Sequence, residues 1–226
     1  MMSENIRIFL RISLSLSIGG IILFLSAGRM DWWPGWIYLG ISIINQSFAY
    51  IYLKRKNPAL LKERSRVVEG VKAWDKSFVV VQGTLGPVCI CVVSGLDERF
   101  GWSAAPSGLP IAALVACLFA SAFSLWAGAV NPFFSALVRI QKDRGHRVIS
   151  SGPYALVRHP GYLGGVIFTL ALPLLLDSFW AFLPAFLTAG VVVLRTAKED
   201  RTLHEELQGY LDYSGRVRYR LFPGLW

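Results

Sequence analysis

The sequence has few charged residues for its length. Of its 226 residues, 16% are Asp, Glu, Lys or Arg, whereas 54% are hydrophobic. A soluble domain usually carries about a quarter charged residues. The shortage excludes an ordinary soluble domain. Because several apolar windows are also long enough to cross a bilayer, the composition indicates an integral membrane protein.

Cysteine is scarce, and the common site signatures are missing. Cys89, Cys91 and Cys117 lie in apolar runs without a C-x-x-C pair, so we expect buried apolar side chains and no disulfide framework. The three histidines lie 13 and 45 residues apart, with no H-x-x-E-H or H-E-x-x-H pattern. The chain also has no G-x-G-x-x-G, P-loop or G-x-S-x-G signature. These absences argue against metal catalysis and haem binding, and against the nucleotide-binding and hydrolase sites that the missing motifs mark.

Six apolar runs predict an all-α fold, a polytopic membrane helical bundle. They are residues 8–27, 32–53, 78–96, 109–134, 162–176 and 179–194. The first four reach spanning length. The last two, joined by Asp177 and Ser178, cover only about 22–24 Å at the α-helical rise and predict a helical hairpin. Whether this hairpin crosses the bilayer completely stays open, but either way the chain returns to the side it left.

Basic residues are distributed unevenly between the two sides of this bundle. If the N-terminus, residues 54–77, residues 135–161 and everything from Arg195 onward share one side, that side holds 21 of the 23 lysines and arginines. The other side holds only Arg29 and Arg99. The positive-inside rule makes the basic side cytoplasmic, and six crossings place both termini there. Topology thus explains the net charge of +9, and we expect no nucleic-acid partner.

The N-terminal run has a second interpretation. Arg7 and Arg11, followed by apolar and small residues, could belong to a secretory signal peptide. Trp32, Trp33 and Trp36 just after the run are typical of an interfacial aromatic belt. They favour a membrane helix.

We divide the chain into two parts of one integrated membrane domain. Residues 1–134 carry the first helices and a basic cytoplasmic loop at 54–77; residues 135–226 carry an irregular loop, the hairpin and a cytoplasmic helix. In the basic loop, Asn57 and Pro58 suit a helix start. Its eight basic residues suit an interfacial helix on anionic membrane lipids. A solvated loop is the alternative.

A cationic and aromatic stretch, GPYALVRHPGYLGG at 152–165, stands at the mouth of an apolar run. Its prolines and glycines predict irregular backbone, which must pack against protein or line a wet cavity when it lies at a membrane. Arg195 and Glu199, four residues apart, share a face of the last helix. No Pro or Gly interrupts that helix before Gly209, so we expect it to continue out of the bilayer. The topology brings loop and helix to one membrane face.

Two segments carry a family resemblance. HRVISSGPYALVRHPGYLGG and RTAKEDRTLHEELQGYLDYSGRVRYRLFP resemble the C-terminal core of the isoprenylcysteine carboxyl methyltransferase family. That wider group also includes phospholipid N-methyltransferases and bacterial thiol methyltransferases. NPALLKERSR at 57–66 is similar to a stretch common among prokaryotic members. The resemblance implies S-adenosyl-L-methionine bound at the cytoplasmic face and released as S-adenosyl-L-homocysteine, with no Rossmann domain.

The resemblance also implies site residues by position. The cofactor-binding segment would include Gln141, His146, Gly152, Tyr154, Arg158, His159, Pro160 and Tyr162. Arg195 and Glu199 fall on the family's essential Arg-x-x-x-Glu pair, and Glu199 would also touch the cofactor. Asp200 stands where many members have a second Glu, which leaves its role open.

The chemistry of these residue types suits methyl transfer. A sulfonium already activates its methyl carbon, so the protein supplies alignment and charge rather than a metal. Tyr154 or Tyr162 would stabilise the cation by an aromatic face. Arg158 and His159 would hold its carboxylate or ribose.

The two helix residues would then serve the acceptor. Glu199 would accept from the cofactor's amino group or act as a base, and Arg195 would orient an anionic acceptor bidentately. The expected partner is a lipophilic or small methyl acceptor, whether a carboxylate, thiol or amine.

Two other functions stay open. One is an NADPH-dependent sterol-type membrane reductase, whose C-terminal part is distantly similar. The other is a non-catalytic membrane accessory protein of the same fold. Asn45, Gln46 and Gln82 lie within spans, where they either line an acceptor tunnel or form interhelical hydrogen bonds.

Overall fold

The computed structural model describes residues 17–56, 58 and 70–226. Within these ranges the chain forms seven helices and no strand, so the all-α prediction is confirmed. The helices are α1 Ser17–Ala27, α2 Trp33–Lys56, α3 Asp75–Phe100, α4 Leu109–Val130, α5 Pro160–Leu175, α6 Phe182–Glu206 and α7 Tyr210–Arg216. Helix α3 contains a π-helical segment, Val81–Leu85.

Two helices, α3 and α4, are long and apolar enough to cross a membrane. Helix α5 and the described part of α1 are shorter apolar helices. Helix α6 continues past the predicted apolar run to Glu206, and Gly209 follows in a left-handed conformation (φ 80°), so the predicted helical continuation is confirmed and its exit from the bilayer stays a prediction. Residues 8–16 of the first predicted run lie outside the described residues. A bundle of six crossings stays a prediction.

The basic loop is described only in part. Helix α2 takes up residues 54–56, Pro58 is helical, and residues 71–74 are irregular up to the start of α3 at Asp75. Asn57 and residues 59–69 lie outside the described residues, so the interfacial helix stays a prediction.

Small residues let α4 and α5 lie against each other. A Cβ added at Gly164 of α5 would lie 2.7 Å from the carbonyl oxygen of Ala120 on α4. Such backbone proximity is typical of helices packed in a membrane, where small residues replace a hydrophobic driving force. Asn45 of α2 donates from Nδ2 to Ser121 Oγ on α4 at 2.8 Å. For Asn45 the interhelical hydrogen bond is therefore confirmed.

We call one end of the bundle the hairpin end, where the turn at residues 176–181 between α5 and α6 meets residues 101–108 between α3 and α4. Asp97 at the end of α3 accepts from Ser103 Oγ at 2.6 Å and from Ser178 Oγ at 2.5 Å. Asp177, with φ 55°, accepts from the Ala105 amide at 2.6 Å. These bonds fix the hairpin to the loop after α3.

The cysteines are free, as expected, but they do not share one environment. Cys91 and Cys117 are buried, whereas Cys89 is exposed. The prediction of a buried side chain is wrong for Cys89. Two residues along a helix rotate by about 200°, so Cys89 and Cys91 face opposite sides of α3.

Candidate active site

A cavity of about 430 Å³ lies at the opposite end of the bundle, which we call the pocket end. There the start of α3, residues 131–162 and the last turns of α6 come together. Its size falls in the range of about 300–1,000 Å³ that small-molecule sites occupy. Eight of the predicted site residues line it: Gln141, His146, Tyr154, Arg158, His159, Tyr162, Arg195 and Glu199. The structure thus brings the irregular loop and the last long helix together.

The two other predicted residues, Gly152 and Pro160, do not line the cavity; they shape the backbone beside it. Gly152 has φ 59°, and a Cβ there would lie 3.1 Å from Val130 Cγ2. A left-handed glycine therefore seats the 3₁₀ turn Gly152–Ala155 against α4. Pro160 is the first residue of α5, where its missing N–H costs no hydrogen bond.

Asp200 is the hub of the buried polar network behind the cavity. It is 1% exposed and accepts from Tyr210 Oη and from Arg220 Nε, each at 2.8 Å. His159 Nε2 lies 3.3 Å and Arg158 Nη1 3.4 Å from its Oδ1. Asp200 therefore positions two predicted cofactor residues instead of lining the cavity itself.

The surroundings of Asp200 set its charge. Burial alone would raise the pKa of this carboxyl, but the hydrogen bond and charge of His159, with the bonds from Arg220 and Tyr210, hold it well below its ordinary 3.8. For Tyr210, burial and the neighbouring Asp200 charge raise the pKa of the phenol. Asp200 is therefore an anion and Tyr210 a proton donor at neutral pH.

The C-terminal tail pairs with the loop through its backbone. Arg158 N donates to the Tyr219 carbonyl at 2.9 Å, and His159 N to the Arg220 carbonyl at 3.0 Å. Leu221 beside them is fully buried. Sequence reasoning did not assign this tail to the site, although apolar residues among the arginines of RYRLFP were a signal that the segment packs inward.

Arg158 has an open donor. Its side chain is 8% exposed, and its Nε has no hydrogen-bond partner among the described residues. Buried polar atoms are nearly always satisfied, so an unpartnered one beside a cavity calls for a ligand or a water. Arg158 also lines the cavity, so its guanidinium is a candidate partner for an anionic or carbonyl oxygen of a bound molecule.

The Arg195 guanidinium donates its hydrogen bonds to other groups of the protein. Its Nε and Nη2 donate to the two carboxylate oxygens of Asp75 at 2.7 and 3.0 Å, and Nη1 donates to Gln82 Oε1 at 2.8 Å. Nη2 also donates to the Ala136 carbonyl at 2.8 Å. The expectation that this fork clamps an anionic acceptor therefore disagrees with the structure, because Asp75 already occupies it. Sequence reasoning missed Asp75, an acid at the first turn of a membrane-length helix.

Glu199 is placed differently from Arg195, one turn away. It is half-buried, lines the cavity, and accepts a hydrogen bond from Tyr162 Oη at 2.5 Å. Among the described residues it has no ion-pair partner. The Tyr162 ring lies under the Arg195 guanidinium, 5.1 Å from Cζ to the ring centroid. The pocket thus contains one carboxylate that is open to a cationic ligand.

Aromatic and amide groups form the remaining wall. Gln141 is 1% exposed, and its Nε2 donates to the Phe133 carbonyl at 2.7 Å. The His146 ring lies 4.6 Å from the Phe133 ring. Tyr154 Oη accepts from Asn131 Nδ2 at 3.0 Å, and burial raises the pKa of this phenol. Gln141 shapes the wall through the backbone, while the rings offer flat apolar surface.

Of the three polar residues considered for a tunnel, Asn45 and Gln46 do not line the cavity and Gln82 does. Asn45 bonds between helices, as described above, whereas Gln82 lines the cavity and bonds Arg195. For metals, residues 17–56, 58 and 70–226 contain no group of three His, Cys, Asp or Glu side chains that could hold an ion.

Together, the fold and the site define a helical protein with membrane-length apolar helices and a cavity, lined by charged and aromatic residues, between a loop and its last long helix. The model of the isoprenylcysteine carboxyl methyltransferase (ICMT) family matches residues 112–205. That range contains most of α4, all of α5, nearly all of α6 and the eight cavity-lining residues predicted from the sequence. The resemblance to this family is therefore confirmed over residues 112–205.

The chain is also similar to part of a curated enzyme with a different name. Delta(14)-sterol reductase of Mus musculus is 30% identical over 132 residues, which cover 52% of this chain and 32% of the mouse protein. The chain thus spans about a third of that relative's length.

Proposed function

We propose that the protein is a membrane-embedded methyltransferase that uses S-adenosyl-L-methionine to methylate a lipophilic or small acceptor. The observation that carries the proposal is a cavity lined by Arg158, whose Nε has no hydrogen-bond partner among the described residues, and by Glu199, whose carboxylate has no salt bridge there. The methionine end of the cofactor is a zwitterion with a carboxylate and an ammonium. These two side chains offer one partner of the right sign for each.

The other residues of the cavity fit the remaining parts of the cofactor. The Phe133, His146, Tyr154 and Tyr162 rings line the cavity. Aromatic faces suit a flat base and also attract a cation. His159 is held by Asp200, so its ring is fixed at the cavity wall. These residues bind and orient the donor, and orientation alone contributes about 7–11 kcal/mol in well-aligned systems.

S-adenosylmethionine supplies a methyl group that its sulfonium already activates, so the residues of the site need no metal. Where Glu199 does not hold the cofactor's ammonium, it is the group able to take a proton from a thiol or amine acceptor, since it lines the cavity and has no salt bridge among the described residues. Tyr162 holds that carboxylate in place by its hydrogen bond. With a carboxylate acceptor no proton moves, and Glu199 serves binding only.

The membrane setting follows the charge distribution. We propose that six helices cross the bilayer and that the pocket end, with both termini, faces the cytoplasm, because 21 of 23 basic residues belong to that side. A polar cofactor would enter from the cytosol and a lipophilic acceptor from the bilayer. Reporter fusions after residue 134 and after residue 226 test this orientation, and an extracytoplasmic signal from either contradicts it.

Binding and turnover are tested in sequence. Calorimetry on the detergent-purified full chain compares S-adenosylhomocysteine with NADPH. Transfer of a labelled methyl group is then measured into small thiols, prenylcysteine analogues and a phospholipid extract. Saturable binding of S-adenosylhomocysteine with labelled product from one acceptor class supports the proposal. Binding without turnover on any acceptor supports the accessory-protein alternative.

A reductase is the second candidate, favoured by the match to the mouse sterol reductase. It requires NADPH, a larger ligand of two nucleosides joined through phosphates. Arg147, which lines the cavity and is exposed, is a cation that could meet a phosphate. Saturable NADPH binding without S-adenosylhomocysteine binding would establish this candidate instead.

A further inference from the structure

Arg195 forms its ion pair with Asp75 and not with Glu199, although Glu199 lies one turn away on the same helix. Arg195 and Glu199 lie four apart on α6, a spacing at which opposite charges normally attract each other across one helical turn. Both line the cavity. Yet Arg195 directs its Nε and Nη2 to Asp75 on α3, 120 residues away in the chain. Glu199 is left with the neutral Tyr162 hydroxyl as its partner among the described residues.

Asp75 is built to hold this arrangement. It is fully buried, and it does not line the cavity. Besides the two bonds from Arg195, its Oδ2 accepts from the Val138 amide at 2.8 Å. The carboxylate is thus fixed from two sides and cannot follow Arg195 toward the cavity.

The consequence of losing the Asp75 charge follows from electrostatics. Arg195 would become a buried cation without a counter-ion, which is strongly unfavourable. The nearest carboxylate on its own helix is Glu199. Pairing with it would relieve Arg195 but would occupy the only acidic side chain among the described cavity-lining residues.

We propose that Asp75 is a positioning residue for donor binding: it neutralises Arg195 and thereby keeps Glu199 unpaired for the ammonium group of S-adenosylmethionine. This inference rests on the proposed function. It assigns Arg195 to the support of the site, acting through Asp75, Gln82 and the Tyr162 ring.

Two ligands separate this role from general damage to the pocket. S-adenosylhomocysteine carries the ammonium group, whereas 5′-methylthioadenosine has the same nucleoside and sulfur without the amino-acid end. Both are titrated calorimetrically into the detergent-purified full chain. For Asp75→Asn we expect S-adenosylhomocysteine to bind about 10- to 100-fold more weakly, the size of one charge-assisted hydrogen bond. The affinity for 5′-methylthioadenosine should stay within about threefold of wild type.

The matched control is Asp97→Asn. Asp97 lies on the same helix, is equally buried, and stands at the hairpin end. Neither affinity should change beyond about threefold in this variant. Asp75→Glu, which keeps the charge, should recover most of the lost affinity for S-adenosylhomocysteine.

The double variant Asp75→Asn/Arg195→Gln keeps the test available if Asp75→Asn alone fails to fold, because it leaves no unpaired buried charge. With Arg195 neutral, Glu199 is open again, so the ratio of the two affinities should return to the wild-type value. The inference is overturned when Asp75→Asn keeps the wild-type ratio of S-adenosylhomocysteine affinity to 5′-methylthioadenosine affinity. It is also overturned when this ratio in the double variant is as low as in Glu199→Gln. Wild-type protein that does not bind S-adenosylhomocysteine overturns the proposed function as well.

Discussion

The two ends of helix α3 carry buried carboxylates with opposite kinds of partner. Asp75 at the pocket end is bonded by the Arg195 guanidinium beside a cavity. Asp97 at the hairpin end accepts from the Ser103 amide and hydroxyl at 2.7 and 2.6 Å and from the Ser178 hydroxyl. Both side chains are fully buried.

The difference separates function from stability. Neutral donors at the hairpin end fix two turns together. At the pocket end, Asp75, Asp200, Arg158 and Arg195 are all buried charges. Burying ions costs desolvation free energy that apolar side chains of similar volume avoid. Such a cluster around a cavity is what the proposed binding of a zwitterionic ligand requires.

The largest expected effect is on turnover. Glu199→Gln should lower the rate of methyl transfer to a thiol or amine by about 10²–10⁴-fold, the usual contribution of a general base. Arg195→Ala should also abolish turnover, because it removes the support of Tyr162. Glu199→Gln should remain folded, as judged by size-exclusion elution and helical circular dichroism. Arg195→Ala removes the partner of the buried Asp75, so its rate is reported per folded protein by the same two measurements. Near wild-type rates in both would refute the assignment of this pair.

A smaller effect is expected on cofactor affinity. Arg158→Gln should weaken S-adenosylhomocysteine binding by about 10- to 100-fold, because a charged donor to the carboxylate is lost. His159→Ala should weaken cofactor binding more than acceptor binding. Arg201→Gln, on the exposed side of α6, is the matched control. Unchanged cofactor affinity in Arg158→Gln and His159→Ala, measured by calorimetry, would remove both residues from the pocket.

Alanine substitutions at two glycines test whether the pocket end and the hairpin end differ in function. A Cβ at Gly161 would lie 2.6 Å from Phe134 Cε2, and both residues line the cavity. Gly161→Ala should therefore cost about 1–3 kcal/mol of stability by overpacking and also lower cofactor affinity.

At the hairpin end, a Cβ at Gly95 would lie 2.8 Å from the Ala27 amide nitrogen of α1. Gly95→Ala should lower thermal stability while the folded fraction keeps its affinity. Equal losses of affinity in the two variants would contradict the separation between the ends.

The smallest expected effect is a loss of folding stability at low pH. Since the folded-state pKa of Asp200 lies below the ordinary 3.8, its contribution to stability is complete above that value and is lost as the pH falls below it. Thermal unfolding in detergent should show this loss for wild type and a weaker acid dependence for Asp200→Asn. The same acid dependence in both proteins would argue that Asp200 is not the anionic hub of the network.

Local patterns were sufficient to predict most of the helices and the meeting of loop and helix. Apolar runs and their breaks placed α2 to α6 near their observed bounds, and the uninterrupted segment before Gly209 predicted the extension of α6. The family resemblance of the segment around Arg158 placed five residues at the cavity: His146, Tyr154, Arg158, His159 and Tyr162. These features depend on residues close together in the chain.

Partners distant in the chain could not be predicted in the same way. Asp75 reaches Arg195 across 120 residues, and the tail at Arg220 closes on the loop at His159. No periodicity links such pairs, so Arg195 was assigned to the acceptor although its donors are bound within the chain. The exposure of Cys89 was not predicted, because an apolar run does not show which face of a helix packs against the rest of the protein.

Titration of the detergent-purified full chain with S-adenosylhomocysteine tests the central claim most directly. The account predicts saturable binding of one molecule per chain, weakened by Arg158→Gln and by Glu199→Gln but not by Asp97→Asn. No saturable binding of S-adenosylhomocysteine, with NADPH bound in its place, would contradict it.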